Sequence, residues 1–418
     1  MLKINQAVIL CGGLGTRLRP LTNNLPKPMV EVNGKPFLHH LINQLSEQGI
    51  NEFLLLTGYL GEKVVEYFGD GSRFGFSILY SHGPIEWDTG RRIWEAREYL
   101  DQQFLLMYSD NFAQFNLKKL LQKHRDLCVP ITLLVAKKVN GNIKISKNGR
   151  IQAYDKARKE DGFNYVEIGY MTINRNDVIN IFPEITNFPD FNFSLILEKL
   201  APINKIGCDV VNDDYHSISD PKRLVLTSKY LEPKKIILID RDGTINKKAP
   251  KGEYIKKWSE FEWNIETLEA MKWLAHRGYK FIVITNQAGV ARQMIRPVDL
   301  EEIHSKMIAS LAHEGIEVLN VYMCPDHWND DTFMRKPSPG MFFQAAREFF
   351  LRLDHSLYIG DDERDCEAAL NAGCGMIYVS EEKLDHRFKE NPVYYDQANK
   401  LMKMVENIHR LYMEWNNS

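Results

Sequence analysis

The chain alternates strand-like and helix-like segments twice, and the second series restarts after a polar break. Ala7–Leu10 is an apolar run ending in glycines, and Phe37, Leu38, Leu41, Ile42 and Leu45 then recur at helical spacing. Phe53–Leu56, Phe76–Tyr80 and Phe104–Tyr108 are short buried-type strands, separated by helical stretches such as Arg91–Leu100 and Leu117–Leu127. Residues 144–175 add a hairpin around Asn148-Gly149 and a further strand, giving a mixed extension. From Lys235 the order repeats: strands at 236–239, 281–285, 318–323, 357–359 and 377–379, helices at 266–276, 300–313 and 341–351. Such alternation builds parallel sheets with helices on both faces. The polar run Glu232-Pro233-Lys234-Lys235 divides the series. The expectation is two doubly wound α/β domains, 1–231 and 235–405, the first with a mixed sheet.

Bulk properties narrow the class without naming a chemistry. The 418 residues exceed one typical domain. With 53 basic and 55 acidic residues the net charge is −2, which argues against a nucleic-acid binder. No apolar run approaches the ~18–20 residues of a membrane span, and the N-terminus has no signal-peptide core. Six scattered cysteines without a Cys-x-x-Cys pair fit a reducing cytosol, so the expected location is cytoplasmic.

The first strand runs into Gly12, Gly13 and Gly15, followed by Arg17 and then Pro26-Lys27-Pro28. Glycines there allow a tight turn that turns N–H groups toward an anion, and Arg17 and Lys27 add the charge a triphosphate needs. A plain turn would need no cations. Residues 12–28 resemble the signature GGxGTRLxPLTxxxPKP of the sugar-nucleotidyltransferases, which join a nucleoside triphosphate to a sugar 1-phosphate. The resemblance runs to about residue 230 and implies a Rossmann-like fold. It also implies that Gly12, Gly13, Gly15 and Arg17 hold the nucleotide and that Lys27 contacts the transferring phosphates. Asp110, in Ser109-Asp-Asn111, is similar to the family's metal aspartate, though an aspartate at a strand end also suits a helix cap. By the same resemblance Lys156 meets the sugar phosphate, and Glu167 and Gly169 the sugar hydroxyls. Thr89 and Gly90 are retained from a Leu-Gly-Thr-Ala/Gly-Gly element, here Trp87-Asp-Thr-Gly-Arg-Arg92, whose other positions are altered. Ser217 stands where the family has a second metal aspartate; Asp209, Asp213 and Asp214 are nearby carboxylates that read as a solvated acidic loop.

The second half carries a more specific set. Asp240 and Asp242 lie at i and i+2 where a strand ends, so both point into one pocket, and two close carboxylates invite Mg²⁺. Thr285-Asn-Gln287, Arg335-Lys-Pro337 and Gly360-Asp-Asp-Glu-Arg-Asp365 follow in order. Together these resemble the haloacid-dehalogenase-type phosphatases without a large cap domain, in the branch acting on histidinol phosphate and heptose bisphosphate. The resemblance implies that Asp240 is the nucleophile and Asp242 the general acid and base. Thr285 and Lys336 would bind phosphoryl oxygens, Asn286 and Arg335 the substrate. Asp240, Asp242 (through its carbonyl) and Asp361 would hold Mg²⁺. Asp362 lies where relatives carry lysine. The branch's zinc loop is reduced here to Cys324 and His327, with Asp326 at the Cys-x-His position, so no structural zinc is expected.

Joined, the two resemblances imply successive steps toward an NDP-heptose for cell-surface glycan: loss of the 7-phosphate from D-glycero-D-manno-heptose 1,7-bisphosphate, then nucleotidyl transfer to heptose 1-phosphate. GTP is the favoured donor and Mg²⁺ is expected in both domains, with neither nucleic acid nor membrane as partner. Two alternatives stay open: other sugar phosphates with CTP or UTP, and an inactive nucleotide-binding first domain, which Ser217 motivates.

Overall fold

The computed structural model describes residues 4–159, 161–182, 190–211, 215–250 and 252–417. The chain forms two compact units, Met1–Leu231 and Glu232–Ser418. Among the described residues no helix is long and apolar enough to cross a membrane.

In the first unit the strand Gln6–Cys11, buried along its whole length, runs parallel to Glu52–Thr57 on one side and Gln103–Tyr108 on the other. Ser77–His82 continues the parallel run beyond Glu52–Thr57. Past Gln103–Tyr108 the sheet turns mixed, because the long strand Tyr165–Asn174 returns antiparallel and carries Ile131–Lys137 antiparallel beside it. Strands Ile143–Ile145 and Ile151–Tyr154 pair antiparallel around Asn148-Gly149, as the turn residues imply. Helix Leu117–Leu127 starts where the Asn116 side chain accepts from the Lys119 amide, and it buries Leu117, Leu120, Leu121 and His124. The helix expected from Arg91 begins earlier, at Thr89, because the Asp88 carboxylate caps it; it ends at Glu95, and a short 3₁₀ turn follows.

The second unit is built on six parallel strands in the spatial order 318–324, 280–286, 236–239, 357–360, 375–379, 395–398. Chain order reverses on either side of Ile236–Ile239, which places a crevice at the carboxyl ends of the central strands. The unit runs past the expected limit at 405 through helix Val405–Asn417. That helix buries Tyr412, whose hydroxyl donates to the Ile236 carbonyl and accepts from the Leu357 amide. Its amphipathic pattern lies beyond the last motif, so the motifs alone gave no reason to extend the domain.

Two candidate active sites

The first unit's site lies at the carboxyl ends of Gln6–Cys11 and Gln103–Tyr108, in a cavity of about 780 Å³. Gly12, Gly13, Gly15, Arg17, Lys27, Thr89, Asp110, Lys156 and Glu167 line it, so most of the residues picked out by sequence in this unit share one cavity. The Lys27 ammonium sits 2.6 Å from an Asp110 carboxylate oxygen. Asp110 caps no helix; the chain continues into the short strand Asn111–Ala113. Glu167 accepts from the Tyr154 hydroxyl at 2.7 Å while its other oxygen is buried without a partner. Burial pushes its carboxyl up to about 7, against the pull of Lys156 and Arg158.

Gly90, Gly169 and Ser217 are not in the lining of this cavity. Gly90 lies under the wall: its amide donates to the Phe191 carbonyl, and a Cβ there would meet the Phe191 ring at 2.2 Å. Thr89 faces the cavity, yet its hydroxyl accepts from the Phe193 amide. Both residues therefore dock segment 190–193 against the loop that precedes them. Gly169 packs beneath the Tyr108 ring. Ser217 pairs with Asn111 across an antiparallel bridge, is buried, and its hydroxyl meets Ser219 and the Arg223 guanidinium. Asp209 is a buried strand residue paired with Lys119 and Lys123 rather than part of a solvated loop. Asp213 and Asp214 lie outside the described residues.

A residue that sequence reading missed organises this site. Arg92 is 4% exposed, and its guanidinium donates to the carbonyls of Thr57 and Pro84 at 2.7 Å each. It lies against Gly12, where a Cβ would come within 2.4 Å of Cζ. Gly12 is thus a glycine for lack of space as well as for its loop. Arg92 closes the Trp87-Asp-Thr-Gly-Arg-Arg92 element, where in sequence it reads only as an altered neighbour of Thr89 and Gly90.

In the second unit Asp240 follows Ile236–Ile239 and its amide donates to the Ile359 carbonyl, tying together the two strands that carry the carboxylates. The cavity here is about 600 Å³. Asp240, Asp242, Thr285, Asn286, Arg335 and Lys336 line it. The Lys336 ammonium is buried within 2.7 Å of Asp240, Asp365 and the Tyr358 hydroxyl, and 3.1 Å from the Ile284 carbonyl. Burial raises the Asp240 carboxyl while Lys336 opposes it. Asn286 and Lys336 exchange reciprocal hydrogen bonds at 3.0 Å, so Asn286 fixes the lysine.

Asp242 is held by Arg241, Asn246 and Gln287. Burial would raise its carboxyl, but the Arg241 charge and these three donors outweigh burial and hold it below the usual range. Arg241, 1% exposed, is itself oriented by donating to His304 Nε2 at 2.8 Å. Carboxylate oxygens of Asp240, Asp361 and Asp365 lie within 4.8 Å of one another, an all-oxygen set suited to a hard divalent cation. Gly243, with φ +97°, lets the loop pass Asp361, since a Cβ there would lie 2.3 Å from its Oδ2. Asp362 caps helix Glu363–Ala372 in a reciprocal capping box with Asp365. Lys248 supplies a cation beside this acidic corner, 2.6 Å from Asp361 and 3.5 Å from Asp362. Asp365 was findable in the sequence, one helical turn after Asp361; Lys248, on an irregular loop, was not.

Relatives of known activity match each unit separately. The family profile described as Nucleotidyl transferase matches residues 6–182, and that described as Polynucleotide kinase 3 phosphatase matches residues 235–388. The D-glycero-alpha-D-manno-heptose 1-phosphate guanylyltransferase of Campylobacter jejuni is 29% identical over 218 residues, covering 50% of this chain and 97% of that one. The D-glycero-alpha-D-manno-heptose-1,7-bisphosphate 7-phosphatase of Photorhabdus laumondii is 33% identical over 153 residues, covering 35% of this chain and 81% of that one. A UTP–glucose-1-phosphate uridylyltransferase of Haloferax volcanii is 37% identical over 121 residues, covering 29% of this chain; only 49% of that relative's length is spanned. The chain carries a nucleotidyl transferase domain in its first unit and, through its second, belongs to the D-glycero-D-manno-heptose-1,7-bisphosphate 7-phosphatase family.

Proposed function

We propose that the chain is a bifunctional enzyme that removes the 7-phosphate from D-glycero-D-manno-heptose 1,7-bisphosphate and transfers a guanylyl group from GTP to the heptose 1-phosphate, releasing pyrophosphate. The observation that carries this reading is the pairing, in one chain, of two cavities lined by residues singled out in the sequence, in units whose relatives act on consecutive intermediates.

In the phosphatase unit the free oxygen of Asp240 attacks phosphorus, the sugar oxygen leaves, and an aspartyl-phosphate forms. Asp242, which Arg241, Asn246 and Gln287 keep ionised in the free protein, takes a proton as substrate binds, gives it to the leaving oxygen, and then takes one from the water that cleaves the acyl phosphate. Lys336 and Thr285 face the phosphoryl oxygens and offset their charge. Asp240, Asp361 and the Asp242 carbonyl would hold Mg²⁺, which when bound offsets phosphoryl charge. In the nucleotidyltransferase unit the sugar phosphate oxygen is already anionic, so the task is placement. The glycine loop, Arg17 and Lys27 hold the triphosphate. Lys156 steers the attacking phosphate, Glu167 meets sugar hydroxyls, and Asp110 would hold Mg²⁺. The protein works in the cytoplasm, a reading that its six free cysteines support.

Incubation with heptose 1,7-bisphosphate, GTP and Mg²⁺ tests this directly. Inorganic phosphate should appear first and pyrophosphate after it, and release of neither product refutes the reading. A panel with CTP and UTP separates the donor. Ser217 favours a second reading, in which the first unit binds nucleotide without turning it over; pyrophosphate formation that Asp110→Ala abolishes rules it out.

A further inference from the structure

Between strand Val318–Cys324 and Lys336 the chain leaves the sheet through an irregular excursion, residues 325–335, that returns to the mouth of the phosphatase cavity. Two of its side chains, Trp328 and Arg335, line the cavity, whereas Asp326 and Thr332 do not. Yet Asp326 is the hub of the excursion. Its Oδ2 accepts from the Thr332 hydroxyl at 2.7 Å and from the buried Cys324 thiol at 3.4 Å. Its backbone carbonyl accepts from Arg335 Nη1 at 2.9 Å.

The clamp therefore closes the excursion at both ends: one side-chain bond folds Thr332 back onto Asp326, and one carbonyl fixes the guanidinium three residues further on. Burial, and after it the neighbouring Arg364 charge, works against the Arg335 cation, and holding an arginine in one rotamer costs side-chain entropy. Trp328 is placed by the same fold, its ring 5.3 Å from the Arg292 guanidinium, which in turn reaches Tyr254 on the far side of the mouth.

We propose that Asp326 is a positioning residue: the Asp326–Thr332 clamp presents Arg335 and Trp328 at the cavity mouth, and thereby sets selectivity for phosphate esters that carry a second anionic group beyond the phosphoryl being removed. Asp326 touches neither the nucleophile nor the metal carboxylates, so it acts on recognition and leaves the chemical step alone. The inference rests on the phosphatase reading above. A small ester such as p-nitrophenyl phosphate reaches Asp240 without needing the mouth, whereas a sugar bisphosphate places its second phosphate there.

The test uses the full chain with both substrates. Wild-type phosphate release from heptose 1,7-bisphosphate comes first: its absence overturns the phosphatase reading itself, before any variant is compared. Asp326→Ala and Thr332→Val should each raise KM for heptose 1,7-bisphosphate by about tenfold or more with kcat within about twofold, and leave kcat/KM for p-nitrophenyl phosphate within about twofold. Thr332→Ser, which keeps the donor, should restore the wild-type KM, an outcome that loss of packing would not produce. The proposal is overturned if KM for the bisphosphate is unchanged in both variants, if the two substrates lose kcat/KM in parallel, or if Thr332→Ser behaves as Thr332→Val.

Discussion

Gly12→Ala should damage the nucleotide loop by way of a buried arginine. The new methyl would stand 2.4 Å from Arg92 Cζ and 2.6 Å from Nε, inside contact distance. A guanidinium is the far end of a flexible chain and would ordinarily step aside at little cost. Here it cannot, because it is 4% exposed and donates to the Thr57 and Pro84 carbonyls. Moving it breaks at least one hydrogen bond from a charged donor, about 1.5–3 kcal/mol, although the Thr57 and Pro84 carbonyls keep the Gly83 and Trp87 amides as donors. Together with strain this gives a cost of about 3 kcal/mol, or roughly a hundredfold loss of protection. Hydrogen exchange of the full chain, read by mass spectrometry on peptides covering 6–11 and 52–57, isolates this unit from the other. Arg92→Met should itself cost about 2–4 kcal/mol by removing both of these hydrogen bonds from the charged donor. The double variant decides the matter. If the clash is the cause, removing the guanidinium relieves it, and the two costs should fall short of additive by at least about 1 kcal/mol. Strict additivity would refute the reasoning and return Gly12 to a role of backbone freedom alone.

Asp240→Asn should stop phosphate release while pyrophosphate formation from GTP and heptose 1-phosphate continues; loss of both would show that the units do not work independently. Asp110→Ala should lower nucleotidyl transfer by at least about a hundredfold with phosphatase turnover unchanged, measured by pyrophosphate release. Glu167 gives a pH signature. Because folding raises its carboxyl from 4.5 to about 7, the folded chain holds that proton more tightly than the unfolded chain. Its stabilising contribution is complete below about pH 4.5 and is lost as pH rises through about 7, a change on the order of 1–3 kcal/mol. Exchange protection of 165–174 should therefore fall between pH 5 and pH 8 in the wild type and stay flatter in Glu167→Gln; equal slopes would refute the assignment.

How much of this was legible depended on how local the signal is. Strand and helix order, the hairpin at Asn148-Gly149 and the convergence of Asp240, Asp242, Thr285 and Lys336 follow from periodicity and from strand ends, which are local. The functional residues that escaped are those whose role is set by a distant partner. Arg92 matters because Gly12 and the Thr57 carbonyl are brought to it, and His304 because it receives a hydrogen bond from Arg241, sixty-three positions earlier. Thr89 and Gly90 show the converse. Their motif is readable, but the structure spends the Thr89 hydroxyl and the Gly90 amide on segment 190–193, a contact with no sequence pattern. Asp362 likewise departs from the motif and turns out to start a helix.

That capping box has a kinetic meaning. Because Asp362 and Asp365 bond each other's backbones, nucleating helix Glu363–Ala372 and fixing the acidic corner beside Asp361 are one event. Ligands therefore find the corner already ordered, and the entropy of arranging it is charged to folding rather than to binding. The same linkage runs backwards. Anything that occupies the corner must slow opening of the helix's first turn, so amide exchange at residues 363–366 becomes a gauge of site occupancy that needs no turnover at all.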